Sequence, residues 1–183
     1  MMTKKPKSEP LDLGAVHEIL AAREIFRASG GAEGQDADFS YNAIKGFDFS
    51  DMDLSGVHFQ GSVIEDCSFR SAVLHDSDFA SAQVSRTDFR DADLVRAIMS
   101  DSVFRNCSFD GSNLARARFY DADLTGTIFH NTDLTGSAIS GCDLTDAIFD
   151  GARIESASIQ NNRGAGSSWL GVQGKPGLGE IPK

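Results

Sequence analysis

Hydrophobic residues recur at every fifth position along the middle of the chain. From Phe39 to Ile159 each fifth residue is Phe, Leu, Ile, Val or Met, which makes 25 consecutive quintets without an insertion. On an α-helix five residues turn the chain by about 500°, so these side chains would spiral around the axis. On a flat strand an odd spacing would send successive side chains to opposite faces. The period therefore predicts a chain that bends once per quintet and returns each apolar side chain to one interior.

A second position of each quintet, two places before this central residue, holds small side chains. From Cys67 to Ala157 it is always Ala, Ser, Thr or Cys, and the first quintets are looser, at Asn42, Met52 and Val57. All three cysteines of the chain occupy this small position. Because they share an inward position and lack disulfide or zinc-ligand spacing, they are predicted to be buried, reduced thiols.

The quintets ADFSY, ADLVR, SNLAR, ADLTG, CDLTD and ARIES resemble the pentapeptide repeat family, whose consensus is A(D/N)LXX. The resemblance covers residues 37–161, about two thirds of the chain. It implies an all-β fold, a right-handed quadrilateral parallel β-solenoid with one quintet on each of four faces. With about 20 residues per coil, residues 37–161 would form a little over six coils.

Residues stacked at a spacing of 20 support the implied fold, because side chains of similar size fall into the same column. One column contains only phenylalanine: Phe49, Phe69, Phe89, Phe109, Phe129 and Phe149. The next contains leucine up to its last member: Leu54, Leu74, Leu94, Leu114, Leu134 and Ile154. Such matching is expected in a solenoid, where each repeat contacts only its neighbours.

Residues 1–36 are predicted to form a basic tail and an amphipathic capping α-helix over 12–28. Asp12 is the expected N-cap, and Gly30 with Gly31 is the expected stop. Apolar residues occur at helical spacing: Leu13, Val16, Ile19, Leu20 and Phe26. A helix over the first coil would protect the open core and the unpaired strand edges. A helix that binds a partner is the alternative interpretation.

Residues 162–183 are predicted to be a Gly-rich C-terminal tail with poor helix propensity. Trp169 and Leu170 are its bulky anchor, and they are expected to form a lid on Ile154 and Ile159. In gyrase-binding members of the resembled family, a C-terminal helical element joins two solenoids into a rod. This chain departs from that pattern, so a monomer and an end-to-end dimer both remain open.

Charge and hydropathy narrow the classes of partner. The formal net charge is −10 and the pI is about 4.7, so direct binding to nucleic acid or to an anionic membrane is not expected. The longest apolar stretches are only a few residues long, and the N-terminus lacks an apolar signal core. We therefore expect a cytoplasmic protein that does not cross a membrane.

The sequence contains no recognisable catalytic, cofactor-binding or metal-binding motif. The histidines, His17, His58, His75 and His130, fall on different elements or faces without metal-ligand spacing. There is no phosphate-binding glycine loop and no nucleophile elbow. A straight rod filled with Phe and Leu would also lack a concave cleft. We therefore expect a protein that is not an enzyme and needs no cofactor.

Acidic residues gather at two diagonally opposite corners when the quintets are placed on four faces. Residues 37–161 contain 20 Asp and Glu against 9 Lys and Arg. The first acidic row is Asp51, Asp53, Asp91, Asp93 and Asp133; the second acidic row is Asp101, Asp121, Asp123 and Asp143. Two such rows could imitate the phosphate strands of DNA. Aspartate before the central residue also belongs to the repeat consensus and suits tight turns, so both interpretations stand.

A third corner interrupts this acidic coat. We call Arg96, Arg116 and Arg118 the arginine corner; Ile98 lies beside them. Asp76 and Asp78 are their predicted ion-pair partners, although exposed pairs contribute little energy. Exposed Tyr120, together with Ile128 stacked over Ile148, predicts a small apolar contact patch.

The resemblance implies a protein-binding function. Some pentapeptide repeat proteins occupy the DNA-binding saddle of type II topoisomerases as DNA mimics and can protect the enzyme from inhibitors. For this chain it implies a non-enzymatic module that binds DNA gyrase or topoisomerase IV through the two acidic rows. The alternative is a structural adaptor that holds a partner through the arginine corner, the apolar patch or the termini.

Overall fold

A computed structural model describes residues 9–182, which form one α-helix followed by a parallel β-solenoid. Helix α1 spans Leu13–Ala28. The strands are β1 (Ala43–Lys45), β2 (Val63–Glu65), β3 (Gln83–Ser85), β4 (Val103–Arg105), β5 (Arg118–Tyr120), β6 (Ala138–Ser140), β7 (Ser158–Gln160) and β8 (Leu178–Gly179). Two sheets have the orders β1-β2-β3-β4 and β5-β6-β7-β8. The predicted basic tail falls largely outside the described residues.

Parallel pairing within the solenoid joins residues that are 20 positions apart. Ile44 pairs with Ile64 and Ile64 with Val84 on one face, and isolated bridges join Asp48 to Ser68 on the next. Each coil both donates to the following coil and accepts from it. The Phe49 N–H, for example, donates to the Ser68 carbonyl at 2.7 Å. The predicted right-handed quadrilateral β-solenoid is confirmed, with about seven coils.

The core consists of the central and small positions of the quintets. Both positions are almost completely buried from Ile64 to Ile159. The rings of the phenylalanine column stack nearly parallel, with centroids 4.7 to 5.2 Å apart between Phe49 and Phe149. Because burying a Phe side chain contributes roughly 1.5–3 kcal/mol, these columns are a major source of stability.

The chain turns each corner at the position two places after the central residue, which we call the turn position. Every turn position from Tyr41 to Asn161 has a positive φ, and all 17 described non-glycine residues with positive φ lie there. Gly, Asn and Asp tolerate this left-handed conformation best. The turn therefore explains part of the Asp and Gly content before any function is considered.

Helix α1 covers the first coil. The Asp12 carboxylate accepts the Ala15 N–H at 2.8 Å and caps the helix, as predicted. Val16 is buried in the core, and the His17 ring meets the Phe47 ring edge-on at 5.5 Å. The Leu11 N–H donates to the Ala43 carbonyl at 2.8 Å, which protects the free edge of β1. The N-terminal end of the core is therefore closed by this helix.

Two side chains of α1 differ from the amphipathic prediction. Leu13, assigned to the apolar face, is 61% exposed because it lies in the first turn, next to the N-cap. Arg23 is buried instead: its guanidinium donates to the Asp36 carboxylate and, at 2.6 Å, to the Ser55 carbonyl. A cation thus occupies an inward position that hydrophobic spacing alone assigns to apolar residues.

The coil continues beyond the last regular quintet at residue 161. Arg163 bridges to Asp143, Ser168 to Ile148, and β8 pairs with β7. Trp169 occupies the next place in the phenylalanine column and stacks on Phe149, with centroids 3.9 Å apart, rather than over Ile154 and Ile159 as predicted. Residues 162–179 therefore form a further coil with Trp169 as its bulky core side chain. No helix within residues 9–182 is long and apolar enough to cross a bilayer.

Candidate functional site

The first acidic row is brought together at one corner. Asp51 and Asp91 occupy turn positions with φ near 60°. Asp53 and Asp93 belong to one ladder, which continues through Asn113 to Asp133. The five carboxylates therefore share one edge of the rod, as the sequence predicted.

Most carboxylates of the first row already have a basic neighbour. Asp53 pairs with Arg27 of α1 at 2.6 Å, and Asp133 pairs with Arg153 at 3.3 Å. Asp91 lies 3.6 Å from Arg70. Asp93 lies 2.7 Å from His75, and this contact is an ion pair only when the imidazole is protonated. Asp51 has no ion pair among the described residues.

In the second acidic row, as in the first, some carboxylates have a basic partner and others do not. Asp123 and Asp143 are bridged in one ladder. Asp123 pairs with Arg105, whose Nε lies 2.9 Å from the carboxylate, and Asp143 pairs with Arg163 at 2.8 Å. Asp101 and Asp121 occupy turn positions and have no ion pair within residues 9–182. The Asp121 carboxylate leans over Gly141 of the next coil, where a Cβ would collide with it.

The acids that precede a central residue also close the backbone turn. The carboxylates of Asp133 and Asp143 accept the N–H two residues later, at 2.9 and 3.1 Å. At Asp53 burial raises the pKa, but hydrogen bonds from Arg27 and Ser55 outweigh it and lower the pKa to about 2. The pKa of Asp143 is lowered first by the Thr145 hydroxyl. These carboxylates therefore stabilise the fold, whatever else they do.

Six of the nine predicted carboxylates thus have a basic partner, and three do not. The three without an ion pair among the described residues are Asp51, Asp101 and Asp121. None of the six basic partners, which include Arg27, Arg105 and Arg163, was predicted from the sequence. Their signal was a spacing of 20 from the acid for Arg163 and 18 for Arg105, but nothing in the quintet pattern pointed to the helix residue Arg27.

The arginine corner is only partly neutralised by the predicted acids. Arg96 makes a two-point ion pair with Asp76, with Nε at 2.7 Å from the carboxylate. Asp78 is not a partner of this corner, because its carboxylate accepts the Ala80 N–H at 2.8 Å and closes its own turn. Arg116 and Arg118 are exposed and have no ion pair within residues 9–182.

Arg116 and Arg118 are exceptions among the arginines. The chain contains 11 arginines, all within the described residues. The other nine each lie within 4 Å of a carboxylate: Arg23, Arg27, Arg70, Arg86, Arg90, Arg96, Arg105, Arg153 and Arg163. In an acidic protein, the two arginines without such a carboxylate are two residues apart on one surface.

The sheet face beside these arginines carries small side chains in the following coil. Arg118 begins β5, pairs in register with Ala138 and bridges to Ile98. Tyr120 ends the same strand, pairs with Ser140 and is 45% exposed. The sheet face therefore presents the Tyr120 ring and the Arg118 guanidinium beside small side chains, and Arg116 lies at the turn that precedes this face.

The predicted apolar patch is small. Ile128 and Ile148 are bridged as predicted, but both are only partly exposed. Leu170, which follows in the next coil, is 72% exposed. The adjacent His130 lies 3.9 Å from Asp150. Ile128 and Ile148 therefore contribute little exposed apolar surface.

The three cysteines are buried, and their surroundings disfavour the thiolate. Burial raises the pKa of Cys107 to about 12 and that of Cys142 to about 11. Nucleophilic chemistry requires the thiolate, so these thiols act as small core residues. Among the described residues, no group of three or more His, Cys, Asp or Glu side chains is placed to hold a metal ion.

Comparison with solved structures gives several proteins of the same repeat type. A pentapeptide repeat protein from the thylakoid lumen of Arabidopsis thaliana is 33% identical over 52% of this chain and 67% of its own, with a TM-score of 0.51. Rfr23 from the cyanobacterium Cyanothece 51142 is 14% identical over 87% of this chain and 99% of its own, with a TM-score of 0.33. QnrB1, a plasmid-mediated fluoroquinolone resistance protein, is 16% identical over 71% of this chain and 68% of its own, with a TM-score of 0.36.

The repeat itself is matched by a family model. Eight copies of the model for pentapeptide repeats cover residues 35–161 in overlapping segments. No curated protein matches the sequence. The matched range contains every regular quintet, and the structure places these quintets on the four faces of a solenoid. The chain therefore belongs to the pentapeptide repeat family.

Proposed function

We propose that this chain is a non-catalytic module that binds another protein. The proposal is supported by the way the fold divides interior and surface. The central and small positions fill the interior with Phe, Leu, Ile and Ala, so specific chemistry is confined to side chains on a rigid exterior. A rod of about seven coils at about 4.8 Å each is about 34 Å long. Such a rod offers an extended surface for a protein partner.

In its finer form, the proposal is that the partner is a type II topoisomerase, DNA gyrase or topoisomerase IV. The rod is about as long as one turn of B-DNA, and residues 37–161 contain 20 acidic against 9 basic residues. Internal ion pairs reduce the charge available to a partner, so the mimicry would depend chiefly on the unpaired carboxylates. Asp101 and Asp121 are stacked on one corner and are the pair best placed to meet a basic groove.

A supercoiling assay with purified gyrase or topoisomerase IV tests this finer proposal. The protein is titrated at low and high salt, with and without a quinolone. We expect inhibition or drug protection that weakens with salt, because charge complementarity between exposed groups is screened. The Asp101→Asn, Asp121→Asn double variant should lose the effect.

A matched control removes the same charge outside the two rows. Asp110→Asn with Asp146→Asn changes two carboxylates that have no ion pair among the described residues, and it should keep the effect. Equal loss in both double variants would mean that only the total charge matters. No inhibition or protection by the unmodified protein with either enzyme would eliminate the topoisomerase proposal.

A structural adaptor is the second candidate function, and a specific observation favours it. Within residues 9–182, Arg116 and Arg118 lack the acidic partners that the other nine arginines have. Unlike the six paired acids of the two rows, these guanidinium groups form no ion pair with another described residue. They are therefore available to a partner without breaking an existing contact.

A further inference from the structure

Arg116 occupies a left-handed turn position, a conformation that it shares with two other arginines. Arg86, Arg96 and Arg116 all occupy turn positions with φ between 50° and 61°. For an L-residue with a bulky side chain, the left-handed region costs roughly 1–2 kcal/mol. Unlike Asp, Asn and Ser, arginine has no short polar side chain that hydrogen-bonds the local backbone of a turn, so its presence there calls for a separate explanation.

Two of these arginines are explained by contacts within the solenoid. Arg86 pairs with Asp66 at 2.6 Å, and Arg96 pairs with Asp76 at 2.7 Å from its Nε, each across one coil. Two-point arginine–carboxylate pairs are stronger than ordinary hydrogen bonds and offset part of the strained turn. These two positions therefore need no external partner.

Arg116 has no such compensation. The turn position one coil earlier holds Arg96, a like charge, and one coil later it holds Gly136. A Cβ at Gly136 would lie 3.7 Å from Cγ of Arg116, so the Arg116 stem passes over an open glycine. Nothing in the described fold rewards arginine at this place. Strained residues without a structural role are concentrated at functional sites.

The neighbouring side chains complete a surface suited to binding. Arg118 and Tyr120 project from β5 on the same face, because they are two residues apart on one strand. Arg and Tyr are enriched among the residues that dominate protein interfaces. The paired strand β6 contributes Ala138 and Ser140, which leave the arginine and tyrosine side chains accessible.

We propose that Arg116, Arg118 and Tyr120 form a docking site for an acidic segment of a partner protein. This proposal rests on the proposed protein-binding function and names the surface and the chemistry of its partner. Two adjacent guanidinium groups match two carboxylates of an extended segment, and the Tyr120 ring offers a flat contact with a hydrogen-bonding end.

The surrounding charge favours a short acidic segment over a nucleic acid. Asp101 and Asp121 lie along the other edge of the same face, one residue beyond Ser100 and Tyr120. A long polyanion lying across the face would meet these carboxylates and the net charge of −10. A segment with one or two acidic side chains can reach the arginines without crossing that edge.

Peptide selection on the full chain provides a direct test. Random short peptides displayed on phage are selected on the immobilised protein, and selected peptides are labelled and measured by fluorescence anisotropy at low and high salt. We expect enrichment of Asp and Glu and binding that weakens with salt. The Arg116→Gln, Arg118→Gln double variant should bind about tenfold more weakly or worse, as expected for charged hydrogen bonds.

Two further variants separate the site from general charge. Arg86→Gln with Arg153→Gln removes two exposed arginines elsewhere and should leave affinity within about twofold, since exposed charges far from the site are screened. Tyr120→Ser copies the residues found at the equivalent place in the neighbouring coils, Ser100 and Ser140, and should weaken binding without unfolding. Circular dichroism melting curves verify that each variant is folded.

Several results would overturn the proposal. Selected peptides without acidic residues would do so, as would equal affinity for the two double variants. Self-association that disappears in the Arg116→Gln, Arg118→Gln variant would make a second copy the occupant. Binding of single-stranded DNA with the same arginine dependence would assign the site to nucleic acid. The supercoiling test depends on Asp101 and Asp121 instead, so either proposal can fail while the other stands.

Discussion

The acidic rows and the arginine corner carry opposite charges, but they differ more in how their side chains are used. Asp53 and Asp143 each accept a backbone N–H, pair with an arginine and help to hold a turn. Arg116 and Arg118 do none of these. The larger number of acids therefore overstates the charge available to a partner, while the two arginines are fully available.

The difference follows from the repeat. Aspartate before the central residue satisfies the turn of its own quintet, so it is selected by the fold in every coil. The quintet consensus requires arginine at none of its positions. An arginine without an internal partner therefore carries more information about function than an aspartate that fits the consensus.

Acidification should have the largest effect on stability, because it neutralises the acids that hold turns and leaves the arginines charged. Eight described aspartates have a lowered pKa: Asp48, Asp53, Asp66, Asp76, Asp88, Asp123, Asp143 and Asp150. At Asp53 and Asp123 burial is the strongest influence and raises the pKa, but hydrogen bonds together outweigh it. At the other six, side-chain hydrogen bonds are the main cause of the lowered pKa.

A pKa lowered by folding stabilises the protein above the unfolded value, near 3.9, and this contribution is lost as the pH falls through the folded value. We expect the Tm to be steady from neutral pH to about pH 5 and to fall below about pH 4, toward the folded value of about 2 at Asp53. Arg27→Gln should lessen the fall, while Arg116→Gln should not change it. A Tm that stays constant down to about pH 2 would contradict the structural role of the acids.

The next largest effect should separate two acids of the same row. Asp53→Ala removes the Arg27 ion pair and the acceptor for the Ser55 N–H, and should lower the free energy of unfolding by about 1–2 kcal/mol. Asp51→Asn keeps a side chain suited to the left-handed turn and should change it by less than about 0.5 kcal/mol. Urea denaturation measures both, and equal losses would show that position within the row does not determine the role of an acid.

The sequence allowed the regular coils to be predicted because each quintet repeats the same local requirement. The central and small positions, the Asp12 cap and the grouping of the acids could all be deduced from spacing. The coil after residue 161 could not, since Gly164, Gly174 and Gly179 replace the central apolar residues while the backbone pairing continues. Hydrogen bonds between coils need no particular side chain, so the hydrophobic pattern ends before the structure does.

Ion pairing was the least predictable feature of the candidate site. Arg90 pairs with Asp88 in its own quintet, whereas Arg96 pairs with Asp76 one coil away and Arg105 reaches Asp123 in the next coil. A long side chain at a corner has acids within reach both along the chain and across coils. Spacing identifies the possible partners, but the choice among them depends on the three-dimensional position of each corner.

A smaller effect, of opposite sign, is expected at the arginine corner. Arg116→Gly should raise the free energy of unfolding by about 1 kcal/mol, because glycine adopts a positive φ without strain and Arg116 has no ion pair to lose among the described residues. Arg96→Gly relieves the same backbone strain but loses the pair with Asp76, so it should gain less. Denaturation of the two variants side by side gives the difference. A loss of stability in Arg116→Gly would reveal a structural role and weaken the argument for a docking site.

The smallest change in stability is expected at Asp121, the carboxylate of the second acidic row that is proposed to meet a partner. Asp121→Asn leaves the side chain above Gly141 and suits the left-handed turn, so the free energy of unfolding should change by less than about 0.5 kcal/mol. Any loss of topoisomerase inhibition in this variant would then reflect the missing charge rather than unfolding. A large loss of stability would instead place Asp121 with Asp53 among the structural acids. Because Asp121, unlike Asp123, has no ion pair with a described residue, it is the most informative single carboxylate for deciding between a partner surface and turn chemistry.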